Sequence, residues 1–150
     1  AEHFKFEENT FDLVYSNGVI HHTPNTKKIV ENIYHYLKKG GEVKCMFYAE
    51  SSINFYLNLF YRNKFLIDYF NTLPVPYVLS KNAELSENDA SPIVEVYSKE
   101  RLRELFKKFK NIKITKHQLL KNEVPFFFRF IPKKIIEMFF GWNYVIKAVK

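Results

Sequence analysis

Between Phe11 and Glu50 the chain sets out a strand, a helix and a second strand with short joins. That succession constrains the fold more than any other feature. "FDLVYS", Phe11 to Ser16, is an apolar run that suits a strand buried on both faces. Asn25, just after Pro24, is placed to cap a helix. Ile29, Val30, Ile33, Tyr34 and Leu37 then recur at helical spacing, with Lys27, Lys28, Glu31 and Lys38 on the opposite face. Gly40 and Gly41 are expected to end that helix. "EVKCMFYAE", Glu42 to Glu50, has the valine and aromatic residues of a second strand. Two strands joined through a helix this way form a right-handed crossover in a parallel sheet.

The remaining pattern is consistent with one α/β domain, and 150 residues are enough for one. Ile53 to Phe70 is dense in Phe, Tyr and Leu and reads as one or two helices. Thr72 to Ser91 reads as loop. Ser98 is a helix cap, Glu100 sits at the positive end of that helix, and Leu102, Leu105, Phe106 and Phe109 line one face. Ile112 to Leu120 alternates in part, as a strand does, and Trp142 to Val149 reads as the final strand. Between them lies a second aromatic insertion, "PFFFRFIPKKIIEMFFG". No long ordinary crossover helix joins these two strands, so an antiparallel pair is expected.

Composition narrows the partners. Aromatic residues make up 18% of the chain, more than a core of this size needs, so the excess must line or cover something. The net charge of +7 admits an anionic partner. No recognised nucleic-acid motif is present, and nucleic-acid binding is not expected. Cys45 is the one cysteine; it excludes an intrachain disulfide, reads as a small core residue, and fits a cytoplasmic setting. His3, His35 and His117 lack metal-ligand spacing, and no metal is expected. Arg62, Lys64 and Asp68 interrupt the longest apolar segment and disqualify it as a membrane span.

The stretch from Ala1 to Val43 resembles the middle of a class I S-adenosylmethionine-dependent methyltransferase of the small-molecule type. "AEHFKFEENTFDLV" is similar to the loop after the third strand of that family and its entry into the fourth. "SNGVIHH" resembles the end of the fourth strand, and "LKKGGEV" resembles the turn before the fifth, with Lys39 where the family often has Pro. "VYSKERLRELFKKF" is similar to the helix before the sixth strand, and "GWNYVIKAVK" to the seventh strand. The resemblance implies a Rossmann-like, seven-stranded methyltransferase sheet with an antiparallel final strand. Residues 1–150 would be a partial methyltransferase domain, strands four to seven, with aromatic-rich insertions at about 51–97 and 121–141. The family's Gly-rich loop after strand one and acidic residue after strand two are absent; the chain has 4 Gly, none in a G-x-G pattern. With an opening at Ala1 in mid-pattern, the expectation is a fragment of a longer enzyme that binds cofactor poorly by itself.

The resemblance also implies a site. Ligands of open parallel sheets bind beyond the carboxyl ends of the strands. Backbone groups near Ser16, Asn17 and Gly18 would meet the methionine part of S-adenosylmethionine, and Ala1 and Glu2 would lie beside its adenine. Methyl transfer mainly needs alignment and exclusion of water, with a general base for hydroxyl or carbon acceptors. His21 and His22 are the histidines nearest the strand end, and one of them could be that base; packing beneath the loop is the alternative for each. The aromatic insertions fall where this fold builds its substrate cover, which points to a small, apolar acceptor. A basic, aromatic lid could also touch an anionic membrane surface. Two other readings stand beside the enzyme: a non-catalytic interaction module that keeps the fold, and a nucleotide-dependent oxidoreductase. The sequence upstream of Ala1 separates the module from the enzyme; both enzyme readings need a Gly-rich loop there, and "LKKGGEV" after "SNGVIHH" argues against the oxidoreductase.

Overall fold

The computed structural model describes residues 5–52, 94–119, 124, 126 and 129–150. The predicted helices of 53–70 and loop of 72–91 lie outside the described residues, as do Ala1 and Glu2.

β1 (Phe11–Ser16) leads through a short 3-10 turn (Ile20–His22) into α1 (Thr26–Tyr36). The Asn25 side chain accepts a hydrogen bond from the Lys28 backbone N–H at 3.1 Å, as its position predicts. The buried stripe of α1 is Thr26, Ile29, Val30 and Ile33. The helix stops at Tyr36, earlier than the glycine pair suggests. Leu37 turns to extended backbone, is wholly buried, and opens β2 (Leu37–Ala49) opposite Phe11. Burial of Leu37 fixes the exit from the helix. The glycines serve an irregularity in the sheet instead: the β1–β2 register shifts between Phe11 and Leu13, Gly40 has φ of 81°, and a Cβ on Gly41 would lie 3.1 Å from the Phe11 carbonyl.

β1 and β2 pair in parallel, as the crossover requires. β3 (Val96–Tyr97) adds a short parallel pairing at Tyr48 and Ala49. It leads to α2 (Lys99–Leu105), whose Ser98 cap accepts from the Arg101 N–H at 3.0 Å. β4 (Lys110–His117), α3 (Lys133–Phe140) and β5 (Asn143–Val149) follow. β5 inserts between β2 and β4 and is antiparallel to both, giving the order β1-β2-β5-β4.

α1 and α2 cover the same face of the sheet. Val43, Cys45 and Phe47 of β2 and Ile146 and Ala148 of β5 pack there with Val30, Ile33, Leu102, Phe106 and Phe109. Each such fully buried side chain contributes roughly 1.5–3 kcal/mol of transfer free energy. Cys45 is a core residue, and burial pushes its thiol up to about 12. β1 departs from the expected double burial. Val14 and Ser16 share the covered face with Val43 and Cys45, whereas Leu13 and Tyr15 alternate to the other face and are 49% and 68% exposed. A smaller cluster of Leu119, Val124 and Ile136 seats α3 against the end of the sheet.

Candidate active site at the strand ends

The carboxyl ends of β1 and β2 lie side by side, with Ser16 in register with Cys45. β1 hands over to Asn17, which is exposed, and Gly18, which is half-buried with φ of 73°. A Cβ on Gly18 would sit at an ordinary 3.6 Å from Met46 Cε. Glycine is therefore needed here for its left-handed backbone and not for lack of room. The 3-10 turn that follows is held by Thr23, whose hydroxyl donates to the Ile20 carbonyl at 2.8 Å, and by the Glu95 N–H, which donates to the His21 carbonyl at 3.1 Å. The Tyr97 hydroxyl hydrogen-bonds both Thr26 and Glu95, joining the chain before α2 to the start of α1.

The two histidines occupy different environments. His21 has no exposed surface, and its ring lies 4.2 Å from His22 and 4.2 Å from Tyr48. Burial, with the neighbouring His22 second, lowers its pKa to about 4, so the ring is neutral at pH 7. The Met46 backbone faces the ring and favours its protonated form, but without the geometry of a full hydrogen bond. His22 is half-buried and stands edge-on to Tyr48 at 6.1 Å. Tyr48 in turn meets Trp142 at 5.2 Å. The result is a row of four rings, His22, His21, Tyr48 and Trp142, over the ends of β1, β2 and β5. Of the residues singled out from sequence, Ser16, Asn17, Gly18, His21 and His22 come together at this edge, and Tyr48 and Trp142 join them.

A second polar group lies along the same edge. Lys116 Nζ, on β4, donates to the Ser51 carbonyl at 3.0 Å, to Ser51 Oγ at 2.7 Å and to the Phe139 carbonyl at 2.5 Å. Ser51 Oγ is also 3.0 Å from the Tyr144 hydroxyl. Burial, with the charge of Lys99 second, pulls the Lys116 ammonium down to about 8. The cluster borders a cavity of about 290 Å³ whose walls include Lys99, Glu100 and Met138. Sequence reasoning passed over Lys116. The available signal was parity, because Lys116 stands on the same alternation as Ile112 and Ile114. Among the described residues no group of three or more His, Cys, Asp or Glu could hold a metal ion. No helix among them is long and apolar enough to cross a membrane.

A methyltransferase domain family matches residues 1–45. The structure of an S-adenosylmethionine-dependent methyltransferase from Thermotoga maritima, described as a possible histamine N-methyltransferase, superposes with a TM-score of 0.62 at 16% identity, covering 99% of this chain and 60% of that one. The fold is that of the class I methyltransferases. The Archaeoglobus fulgidus S-adenosylmethionine-dependent methyltransferase superposes with a TM-score of 0.53 at 15% identity, over 96% of this chain and 61% of its own. Phosphoethanolamine N-methyltransferase 2 of Haemonchus contortus, solved with S-adenosyl-L-methionine, gives 0.54 at 20% identity, over 98% of this chain and 35% of its own. In sequence, phosphoethanolamine N-methyltransferase 2 of Caenorhabditis elegans is 43% identical over 47 residues, 31% of this chain and 11% of that protein. The chain thus spans less than two thirds of each of these relatives. The mixed sheet, with its last strand antiparallel between two earlier ones, has the antiparallel final strand that the resemblance implies.

Proposed function

We propose that this chain is part of an enzyme that transfers a methyl group from S-adenosylmethionine to a small acceptor with an apolar body. The observation that carries the reading is the left-handed Gly18 at the carboxyl end of β1, directly before the buried His21 and beside the ring row. The residues present fit one wall of such a cofactor site: a left-handed backbone turn at Gly18 that follows the carboxyl end of β1, with exposed Asn17 beside it. Those backbone groups would hold the methionine part, and Ala1 and Glu2 would contribute beside the adenine. The bound cofactor supplies an electrophilic methyl on a sulfonium.

The chain's own residues do the rest. Tyr48 and Trp142 exclude water from the acceptor side of the strand ends. The base role falls to His22. A general base must come within hydrogen-bond reach of the proton it takes, and His21 is wholly enclosed. The His22 ring is half-buried with its Nε2 covered, so this role requires the turn to uncover that ring in the bound enzyme. His21 then acts as a positioning residue, packed at a tilt between His22 and Tyr48. The aromatic insertions supply the apolar cover of the acceptor. Phosphoethanolamine, which names two of the relatives, is one acceptor to screen; apolar alcohols and phenols are the others.

Calorimetric titration of S-adenosylmethionine into this chain, and into the same chain with its natural upstream sequence restored, tests the reading. Binding in the longer protein is the expected result. A folded longer protein that takes up no cofactor would leave an interaction module that keeps only the fold.

A further inference from the structure

α3 is tied to the sheet on one side only. Ile136 is buried with Leu119 and Val124, Glu137 accepts from the Leu119 N–H at 3.2 Å, and the Phe139 carbonyl accepts from Lys116. The opposite side carries Ile135, Met138 and Phe139, spaced to share one helix face, and all three are about half exposed or more. Phe126 and Phe130, in the segment before the helix, are 83% and 82% exposed. Two phenylalanines so open to water, next to an apolar helix face, mark a contact surface.

Charge selects the partner. Arg129, Lys133 and Lys134 flank the apolar residues and are exposed, with the Arg129 guanidinium 6.0 Å from the Phe126 ring. From Lys107 to Gly141 the carboxylates in the sequence are Glu123 and Glu137, with Glu137 turned inward to Leu119. Glu50 and Glu100 come from outside this stretch to the cavity that Met138 and Phe139 border beside Lys116. A second copy presenting this same basic surface is repelled from it. An anionic bilayer satisfies both halves: phenylalanine and methionine enter the headgroup boundary while lysine and arginine meet the phosphates. We infer that the outer face of α3, with Phe126 and Phe130, docks on an anionic lipid surface. This inference goes beyond the proposed methyl transfer and does not depend on it.

Co-sedimentation with vesicles, without cofactor, is the test. The protein is expected to partition onto phosphatidylcholine vesicles containing about 30% phosphatidylglycerol, to prefer them over pure phosphatidylcholine, and to be released as salt rises to about 0.5 M. Phe130→Ser with Phe139→Ser, and separately Lys133→Glu with Lys134→Glu, should each weaken partition about tenfold. Both pairs are at exposed side chains, and circular dichroism confirms that each variant is folded. Unchanged partition in both variants, or no uptake by anionic vesicles at low salt, overturns the inference. So does self-association that the same substitutions abolish without any vesicle uptake. Cofactor titration reads the methyltransferase proposal separately, so either can fail alone.

Discussion

Lys116 Nζ reaches Ser51 Oγ at 2.7 Å and so bridges the ends of β4 and β2, two strands that are not neighbours in the sheet. Tyr144 of the intervening β5 lies beneath the bridge, its ring 5.2 Å from the ammonium. The same ammonium holds the last turn of α3 through the Phe139 carbonyl, so a single side chain closes the sheet edge and seats the helix.

Lys116→Met keeps much of the length and volume but leaves the two carbonyls and Ser51 Oγ without their donor. Stability to urea should fall by about 2–4 kcal/mol, because truncating a buried partner exposes the desolvation cost of the groups left behind. Lys116→Arg, whose planar fork does not converge on three acceptors as a compact ammonium does, should not restore it.

His21 predicts a pH dependence. Its folded pKa of about 4 lies below the ordinary 6.5, so the unfolded chain binds the extra proton between those values. The stability associated with the neutral ring is complete above pH 6.5, declines as the pH falls, and is gone below about 4. The loss attributable to this group is roughly 3 kcal/mol at most. His21→Phe retains a ring against Tyr48 without nitrogens to desolvate. Its urea midpoint should fall less than the wild type's between pH 6.5 and 4.

Two glycines should respond differently to alanine. At Gly141 a Cβ would stand 2.7 Å from the carbonyls of both Glu137 and His117, backbone atoms that cannot step aside. Gly141→Ala should cost about 3 kcal/mol and loosen α3. At Gly18 the space is adequate and only the positive φ is strained, so Gly18→Ala should cost about 1 kcal/mol. Its larger effect is expected in cofactor titration of the longer protein.

His22→Ala in that protein should lower kcat for a hydroxyl or carbon acceptor by roughly 10²–10⁴-fold while leaving cofactor affinity unchanged. An amine acceptor already neutral at the assay pH should show little change. The two acceptor classes can thus be told apart by one substitution.

The open face of β1 carries Leu13 and Tyr15, and an apolar cavity of about 350 Å³ runs beside it between Phe6, Phe11 and Ile33. The 150-residue chain should self-associate through this edge. Leu13→Lys with Tyr15→Lys should reduce light scattering without changing far-ultraviolet circular dichroism.

Local signals were readable where one residue type does one job. Asn25 and Ser98 cap the helices predicted for them, the β1–α1–β2 crossover is parallel, and β4 and β5 are antiparallel. What local pattern does not carry is competition between distant parts. The helix exit at Leu37 rather than Gly40 is decided by burial opposite Phe11, and Val96–Tyr97 is too short to announce a strand. The exposure of Leu13 and Tyr15 depends on what covers the sheet, which alternation cannot report. At the site, the strand-end turn was visible in "SNG". The contrast between His21 and His22, adjacent in sequence yet one enclosed and one half-open, came only with the Tyr48 ring. The Lys116 bridge needed two strands and a helix in place.

The position of β5 bears on how the protein is made. The strand nearest the carboxyl end, Asn143–Val149, is flanked on both sides by earlier strands, and Lys150 fastens it with backbone hydrogen bonds to Gly40 and Gly41. A chain leaving the ribosome therefore carries β2 and β4 as unpaired neighbours with a strand-wide gap between them until residues 143–149 emerge. During that interval the apolar face that β2 and β4 turn toward α1 and α2 lacks the strand that joins it, which is when a holding chaperone would matter most.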